Sequence, residues 1–517
     1  MIKLSINTTT VEVENGATVL EAALKAGFEI PTMCDNGEVE HFASCMVCVV
    51  KNAANSSLLP ACSAKAVDGM RIITEDAELT QARKTAIELL MSEHVGDCQA
   101  PCTVACPASM NIPLMNRFIA AGETAKALEV VRKDIALPGV LGRICPAPCE
   151  GVCRRKPMGQ SVSICLLKRF ASDDSPVFIP NIDSEKAFRI GIVGSGPAGL
   201  SAAYYLRLRG MQVSVYDHRP LPGGSLRYDI PQHILDSRVL DNEVELIANM
   251  GVRFIQNAPV DAALFATLQS ECDAVVLATG NYVESMNDWG LENDGKHLLV
   301  NKNTYQTNLD KVFAIGNANK SGKLAIRSAA QGKEVAFSIE QLFMGLPLQG
   351  EHKTFNSTIG KIYPDEYAEY MRDASSSERQ MPKQLQAGFD AQTARIEAER
   401  CMDCDCRKAE GCILRLHADQ LNIAKRRFNY SQRVRVSRNS VRNLVVYEPG
   451  KCIKCGVCVR LTAKHQEEFG FTFIGRGFNV VVGIPFDATV EKALEKTVDK
   501  VIKACPTGAL AATEKKR

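Results

Sequence analysis

The placement of cysteine constrains this chain more than any other feature. Twenty cysteines fall into five sets: Cys34, Cys45, Cys48 and Cys62; Cys98, Cys102, Cys106, Cys145, Cys149, Cys153 and Cys165; Cys272 alone; Cys401, Cys404, Cys406 and Cys412; and Cys452, Cys455, Cys458 and Cys505. The N-terminus, MIKLSINTTTVEV, alternates like a strand and lacks the basic and apolar regions of a signal peptide. A cytoplasmic location is therefore expected, where thiols stay reduced and tight groups of them bind metal rather than pair. At least sixteen of the twenty sit in spacings that suit iron–sulfur ligation.

Bulk properties remove other classes. The 517 residues suggest three or four domains at ~150 residues each. A net charge of +2 gives no field that draws the chain to nucleic acid or a membrane. The basic stretch Lys425–Arg442 reads as solvated surface. No long apolar run predicts a membrane span. Hydrolytic chemistry has no support: no Ser–His–Asp triad, P-loop or paired acid/base carboxylates stand out.

In the first set, ten, two and thirteen residues separate the cysteines. A strand pair, the turn Asn15-Gly16 and a helix over roughly Ala17–Ala26 precede Cys34. The loop carrying Cys34, Cys45 and Cys48 is rich in small residues, which lets backbone N–H groups aim at sulfur. Thiolates in this pattern suit a cluster or zinc. The layout resembles the [2Fe-2S] ferredoxin domain that begins the large iron–sulfur subunit of respiratory complex I and iron-only hydrogenases.

The second set reads His94-Val-Gly-Asp-Cys98-Gln-Ala-Pro-Cys102-Thr-Val-Ala-Cys106-Pro, then Gly142-Arg-Ile-Cys145-Pro-Ala-Pro-Cys149-Glu-Gly-Val-Cys153. It resembles the N-terminal helical domain of the glutamate synthase small subunit and dihydropyrimidine dehydrogenase, which interlaces two [4Fe-4S] clusters. That resemblance implies one cluster on Cys98, Cys102 and Cys153 and another on Cys106, Cys145 and Cys149. Fourth ligands are then needed. His94 stands just before Cys98, and complex I uses a histidine beside its own N-terminal ferredoxin domain. Cys165 stands near the point where dihydropyrimidine dehydrogenase uses a glutamine. Blander readings exist: His94 as a helix C-terminal histidine, Cys165 as a small core residue.

Cys452-Ile-Lys-Cys455-Gly-Val-Cys458 with distant Cys505-Pro506 follows ferredoxin logic with the second cluster's ligand missing, so one [4Fe-4S] cluster is expected. Gly475-Arg476-Gly477-Phe478 resembles the inter-motif segment of the complex I large subunit. Cys401, Cys404, Cys406 and Cys412 lie within twelve residues, which suits a [4Fe-4S] cluster or structural zinc. Ala398-Glu-Arg-Cys401 resembles the tail of glutamate synthase small-subunit relatives. Cys272 reads as core on a buried strand.

Phe188–Val193 reads as an apolar strand, followed by Gly194-Ser-Gly196-Pro197-Ala198-Gly199, a helix Ser201–Arg209 and a second strand Gln212–Tyr216 ending in Asp217. This is a dinucleotide fingerprint in its proper context. Gly194 permits the turn, Gly196 the approach of a pyrophosphate and Gly199 close helix–strand packing; Asp217 would hold the adenosine ribose. Gly223, Gly224, Ser225, Leu226 and Arg227, then Thr279-Gly280 and Gly316-Asn317, match the FAD stations of glutamate synthase-like flavoproteins. Those proteins carry an NAD(P)H domain between the last two stations. Only Asn281–Lys311 fills that interval here, too little for a dinucleotide half.

The expected fold is multidomain, α+β and α/β. It comprises a β-grasp [2Fe-2S] ferredoxin (1–76), a helical domain with two [4Fe-4S] clusters (77–186), a truncated Rossmann-like FAD domain (187–350), a linker or arm (351–398), a Cys-rich segment (399–432) and a ferredoxin-like [4Fe-4S] domain (433–517). The resemblances imply an electron-transfer subunit of a cytosolic, electron-bifurcating complex, with three to four [4Fe-4S] clusters in all. Implied partners are an FMN/NADH-binding subunit, a thioredoxin-like [2Fe-2S] subunit, a nickel–iron hydrogenase or formate dehydrogenase, and ferredoxin. A self-contained FAD oxidoreductase and a purely structural flavin domain are the alternatives.

Overall fold

A computed structural model describes residues 1–40, 43–175, 179–281, 288–424, 433–441 and 444–513. Most of the basic stretch Lys425–Arg442 lies outside them. The chain folds as two compact units, each built from separated segments: Met1–Gln99, Thr354–Arg372 and Cys404–Arg517 form the first, Ala100–Lys353 and Asp373–Asp403 the second.

The first unit opens with a five-stranded mixed sheet in the order β2-β1-β5-β3-β4. Strand β1 (Ile2–Ile6) pairs antiparallel with β2 (Thr9–Val13) and parallel with β5 (Arg71–Ile73); β3 (Val49–Asn52) runs antiparallel to β5 and to β4 (Leu58–Pro60). The alternating sequence explains the pairing. Leu4, Ile6, Val11 and Val13 all turn to one face and are buried, while their neighbours stay wet. The helix Val19–Lys25 covers that face, begun by a capping box of Thr18 and Glu21. The helix Ala77–Glu93 follows, its first turn fixed by Asp76 accepting from Leu79 N–H, and ends at His94. Further along the chain, strand Val445–Tyr447 lies between Asn439–Val441 and Leu510–Ala512, and helices Val457–Lys464 and Val498–Ala504 pack together.

The second unit is built on a five-stranded parallel sheet ordered β10-β9-β6-β7-β8. Its strands are β6 (Arg189–Val193), β7 (Gln212–Tyr216), β8 (Arg253–Ile255), β9 (Ala274–Leu277) and β10 (Val312–Ala314). Four of β9's residues and four of β6's are buried, the continuous apolar run of a sheet covered on both faces. The helix after β6 begins at Pro197, four residues ahead of the expected Ser201, because Gly196 serves as N-cap and proline suits the first helical position. It packs along the helix Ala325–Phe343. The described part of the interval between β9 and β10 holds no further strand. Cys272, expected on a strand, instead ends the helix Ala262–Glu271 and is half-buried.

The polar stretch expected as a linker is part of both units. Residues 354–372 belong to the first and 373–403 to the second. Helix Ala391–Ala398 packs on helices Ile112–Ala120 and Ile164–Asp173. Glu397 has no exposed surface; it accepts from Arg400 Nη1 (2.7 Å), Ser163 N–H (2.7 Å) and Gln380 N–H (2.6 Å). The Glu397–Arg400 charge is thus paired inside the unit.

Candidate cofactor sites

In the first unit, the N-terminal thiols converge. Cys34 and Cys45 sulfurs are 3.8 Å apart, Cys48 and Cys62 3.3 Å, and all four side chains are buried. The loop between them bends through left-handed backbone at Ala43 and Met46. Its N–H groups do reach sulfur: Val47 N–H stabilises a Cys45 thiolate. Hydrogen bonding from Cys62 brings Cys48 down to about 7, while hydrogen bonds to neighbouring thiols and burial push Cys45 and Cys62 up. Four thiols that cannot all ionise without a cation among them suit a binuclear iron–sulfur core.

Cys452, Cys455, Cys458 and Cys505 line one small cavity with Gly456, Thr507 and Tyr447. Lys454 N–H donates to Cys452 Sγ at 3.3 Å, and left-handed backbone at Lys454 and Gly456 wraps the loop around the cavity. Burial pushes Cys452 to about 11 and Cys455 to about 12; Cys505, Cys452 and Cys34 add to the latter. The N-terminal and C-terminal thiol sets are thus close enough to act on each other.

Also in the first unit, Cys98 Sγ accepts from Ser357 N–H at 3.4 Å. Its carbonyl accepts from Cys406 N–H at 3.3 Å. Cys412 caps the helix Ile413–Gln420 and is pushed to about 11 by burial and by the Cys406, Cys98 and Cys505 thiols. His94 caps the helix Ala77–Glu93, with Nδ1 buried and unpartnered. Burial and Lys451 bring its ring down to about 4, so the imidazole is neutral. Cys404 lies in the same unit and is half-buried.

In the second unit, Cys106, Cys145, Cys149 and Cys165, a set implied by the family resemblance, line one cavity. Cys165 and Cys145 share a hydrogen bond, and Cys149 bonds Cys165. The bond with Cys145 lowers Cys165, but Cys149 and burial prevail and carry it to about 11. Lys168, one turn on, is buried with Nζ 3.9 Å from Cys165 Sγ. Burial would discharge it; the four thiols outweigh burial and keep its affinity for the proton raised. Sequence reasoning gave Lys168 no role, although its spacing from Cys165 places it on the same helix face. Cys102, Cys153 and Cys401 are half-buried, and the helices Pro101–Ala105 and Pro148–Gly151 that carry the first and precede the second pack together. Arg155 senses both Cys153 and Cys401 and donates to Arg400 O at 3.0 Å. Cys98 therefore shares surroundings with Cys406 and Cys412, where the family resemblance grouped it with Cys102 and Cys153. Among the described residues, no three His, Cys, Asp or Glu side chains gather around a single-ion point.

The dinucleotide fingerprint borders a cavity of about 860 Å³. Gly194, Gly196, Asp217, Gly224, Ser225, Leu226, Thr279, Gly280, Gly316 and Asn317 line it, as does Pro197. Gly194 has φ +104°, and a Cβ there would lie 2.4 Å from Ala278 O; at Gly199 it would lie 1.9 Å from Gly194 O. These close approaches leave the helix N-terminus open for a pyrophosphate. Asp217 Oδ2 accepts from Ser195 N–H (2.7 Å) and Oγ (2.6 Å), which orients its carboxylate at the cavity wall. Thr279 Oγ1 is buried with no partner, as expected of a group waiting for a ligand. Asn317 Oδ1 accepts from Gly322 N–H at 3.1 Å. Arg227 does not line the cavity: it donates to Pro222 O at 2.7 Å and pairs with Asp241. Gly199 serves packing rather than lining. The volume lies in the range of small-molecule and cofactor sites.

Residues 1–77 match the 2Fe-2S iron-sulfur cluster binding domain, 71–177 the 4Fe-4S domain II of dihydropyrimidine dehydrogenase, and 181–332 the pyridine nucleotide-disulphide oxidoreductase domain. The chain is 32% identical over 279 residues to NADPH-Fe(3+) oxidoreductase subunit beta of Geobacter sulfurreducens, covering 52% of this chain and 40% of that protein. It is 34% identical over 224 residues to NADP(+)-dependent formate dehydrogenase subunit beta of Moorella thermoacetica, covering 38% and 31%. It is also 34% identical over 183 residues to the glutamate synthase [NADPH] small chain of Bacillus subtilis, covering 34% and 37%. The chain thus spans less than half the length of these relatives. No described helix is long and apolar enough to cross a membrane. With two iron–sulfur domain matches and a pyridine nucleotide-disulphide oxidoreductase match in succession, the chain is similar over these segments to subunits of iron–sulfur oxidoreductases.

Proposed function

We propose that this chain relays electrons within a larger cytoplasmic oxidoreductase, through one [2Fe-2S] and four [4Fe-4S] clusters and FAD. What carries the reading is that Cys145 and Ile326 border both the dinucleotide cavity and the cavity of Cys106, Cys149 and Cys165. A flavin there would sit against a cluster ligand, a distance at which electrons pass without substrate diffusion. Gly194, Gly196 and the helix N-terminus would hold its pyrophosphate, and Asp217 its ribose. FAD would supply the switch between two-electron and one-electron chemistry.

The electron source belongs to partner subunits, because the short interval 281–311 leaves no room for a second dinucleotide half. An FMN/NADH-oxidising subunit, a thioredoxin-like [2Fe-2S] subunit and a catalytic formate dehydrogenase or nickel–iron hydrogenase fit the role, with ferredoxin as the second acceptor of a bifurcating reaction. The alternative, a self-contained NADPH oxidoreductase, draws on the name of the glutamate synthase relative. Anaerobic mixing separates the two. The relay reading expects no bleaching of the isolated chain by NADH or NADPH within minutes, and bleaching once co-purified partners are added. Rapid NADPH bleaching of the chain alone sinks it.

A further inference from the structure

We infer that Cys98 and Cys406 ligate a single iron–sulfur cluster, a site that joins the first and last of the first unit's three chain segments, with Cys412 and His94 as its remaining ligands. Spacing alone divides these residues between two sets, one upstream and one in the compact run Cys401–Cys412. The folded chain brings them together.

The backbone supplies the first argument. Cys406 N–H donates to Cys98 O at 3.3 Å, so the two residues are hydrogen-bonded neighbours despite their distance in sequence. Ser357 N–H donates to Cys98 Sγ at 3.4 Å, and Ser357 Oγ to Gly96 O at 3.0 Å, which holds the Cys98 loop in place. Such an N–H bond to sulfur stabilises a ligating thiolate. The same strip is tied down a second time: Val95 N–H donates to Gly450 O at 2.7 Å.

The second argument is steric. A Cβ built on Gly508 would lie 2.2 Å from Cys406 Sγ, and one built on Gly96 would lie 2.5 Å from the Lys451 side chain. Both glycines therefore lie close against side chains of this neighbourhood, and Gly508 also approaches Lys451, at 3.8 Å. Lys451 is 3% exposed and pairs with Glu448, itself bonded by Arg438 at 3.1 Å. A buried cation placed beside His94, Cys98 and Cys406 balances the negative charge that a thiolate-ligated cluster carries.

The third argument is the histidine. Nδ1 of His94 is buried without a hydrogen-bond partner. Buried ring nitrogens are ordinarily satisfied, so an orphan that faces Lys451, the cation that Cys98 and Cys406 also face, suits a metal ligand. The three cysteines and the histidine make four ligands, the number a cubane needs. A neutral imidazole in place of a thiolate makes the cluster less negative and raises its potential.

This assignment extends the relay reading, but its test reads ligands rather than electron flow, so either can fail alone. The full chain, reconstituted anaerobically, is assayed for iron and acid-labile sulfide. Cys98→Ala and Cys406→Ala each remove one cluster, about four iron atoms. The double variant decides: it loses the same ~four if the two share a cluster, and ~eight if they serve different ones. A loss near eight overturns the assignment. A second readout does not depend on the alanine variants folding. Pulsed EPR of the reduced protein grown on ¹⁵N-histidine should show nitrogen coupled to one cluster, and His94→Cys should abolish it with iron content unchanged. Absence of histidine nitrogen coupling in the unsubstituted chain removes His94 from the set.

Discussion

Lys168 is a charge buried against sulfur, and replacing it should move one cluster's potential. Its Nζ lies 3.9 Å from Cys165 Sγ, within the set Cys106, Cys145, Cys149 and Cys165. An electron added to a cluster there spreads over the core, at a mean distance of ~6 Å from the ammonium. With an effective dielectric of ~20, the interaction is 332/(20 × 6), about 3 kcal/mol. For a one-electron couple, ~59 mV per factor of ten converts this to about 120 mV. Lys168→Met keeps most of the side-chain volume and removes the charge, so the midpoint potential should fall by ~100 mV. Lys168→Arg keeps the charge and should stay within ~30 mV of the parent. The assay is a potentiometric titration of the full chain followed by EPR, at an ionic strength where surface charges are screened. A shift below ~20 mV for the methionine variant, or equal shifts for both variants, would refute the electrostatic argument.

Three further outcomes are expected. Gly199→Val places side-chain atoms where even a Cβ meets Gly194 O at 1.9 Å; released flavin, measured by fluorescence after acid extraction, should fall to near zero with iron unchanged. Glu397→Ala leaves Arg400 buried without its carboxylate and should cost about 3–5 kcal/mol, read as an earlier thermal transition of the second unit. Glu243 is held up to about 7 by burial, against the pull of Gly139 and Val140 N–H groups at 2.6 and 3.2 Å. Its folded affinity for a proton exceeds the unfolded one, so stability is full below the ordinary value of 4.5 and declines as pH rises to about 7. The loss is about 3 kcal/mol, and Glu243→Gln should flatten that slope in denaturant titrations across the window.

What could be seen in the sequence follows from the range of the interactions involved. The N-terminal sheet is written in strict alternation, and the fingerprint from Gly194 to Asp217 is written in local turns, so both were legible. The set Cys106, Cys145, Cys149 and Cys165 was reached through resemblance, since no spacing rule joins Cys106 to Cys165. The neighbourhood of Cys98 and Cys406 was not legible, because a backbone hydrogen bond between distant loops leaves no periodic trace. The burial of Glu397 against Arg400 was not legible either. Each reads as a surface charge by itself, and only their mutual satisfaction allows burial. Lys168 and Lys451 stand beside cysteines in the sequence, yet lysine composition alone does not reveal which cations are enclosed.

The first unit is assembled from three stretches of chain, with the whole of the second unit's main segment inserted between Gln99 and Thr354. That topology sets a timetable. Cys98 leaves the ribosome 308 residues before Cys406, the difference of their numbers, which at ~5–20 residues per second is a wait of about 15–60 s. Throughout it Cys98 lacks the Cys406 N–H from which its carbonyl finally accepts. The second unit can close around its own clusters while synthesis continues; the first cannot be finished until the last strand, Leu510–Ala512, is in hand. Synthesis thereby completes the long segment between Gln99 and Thr354 before the last segment of the first unit begins.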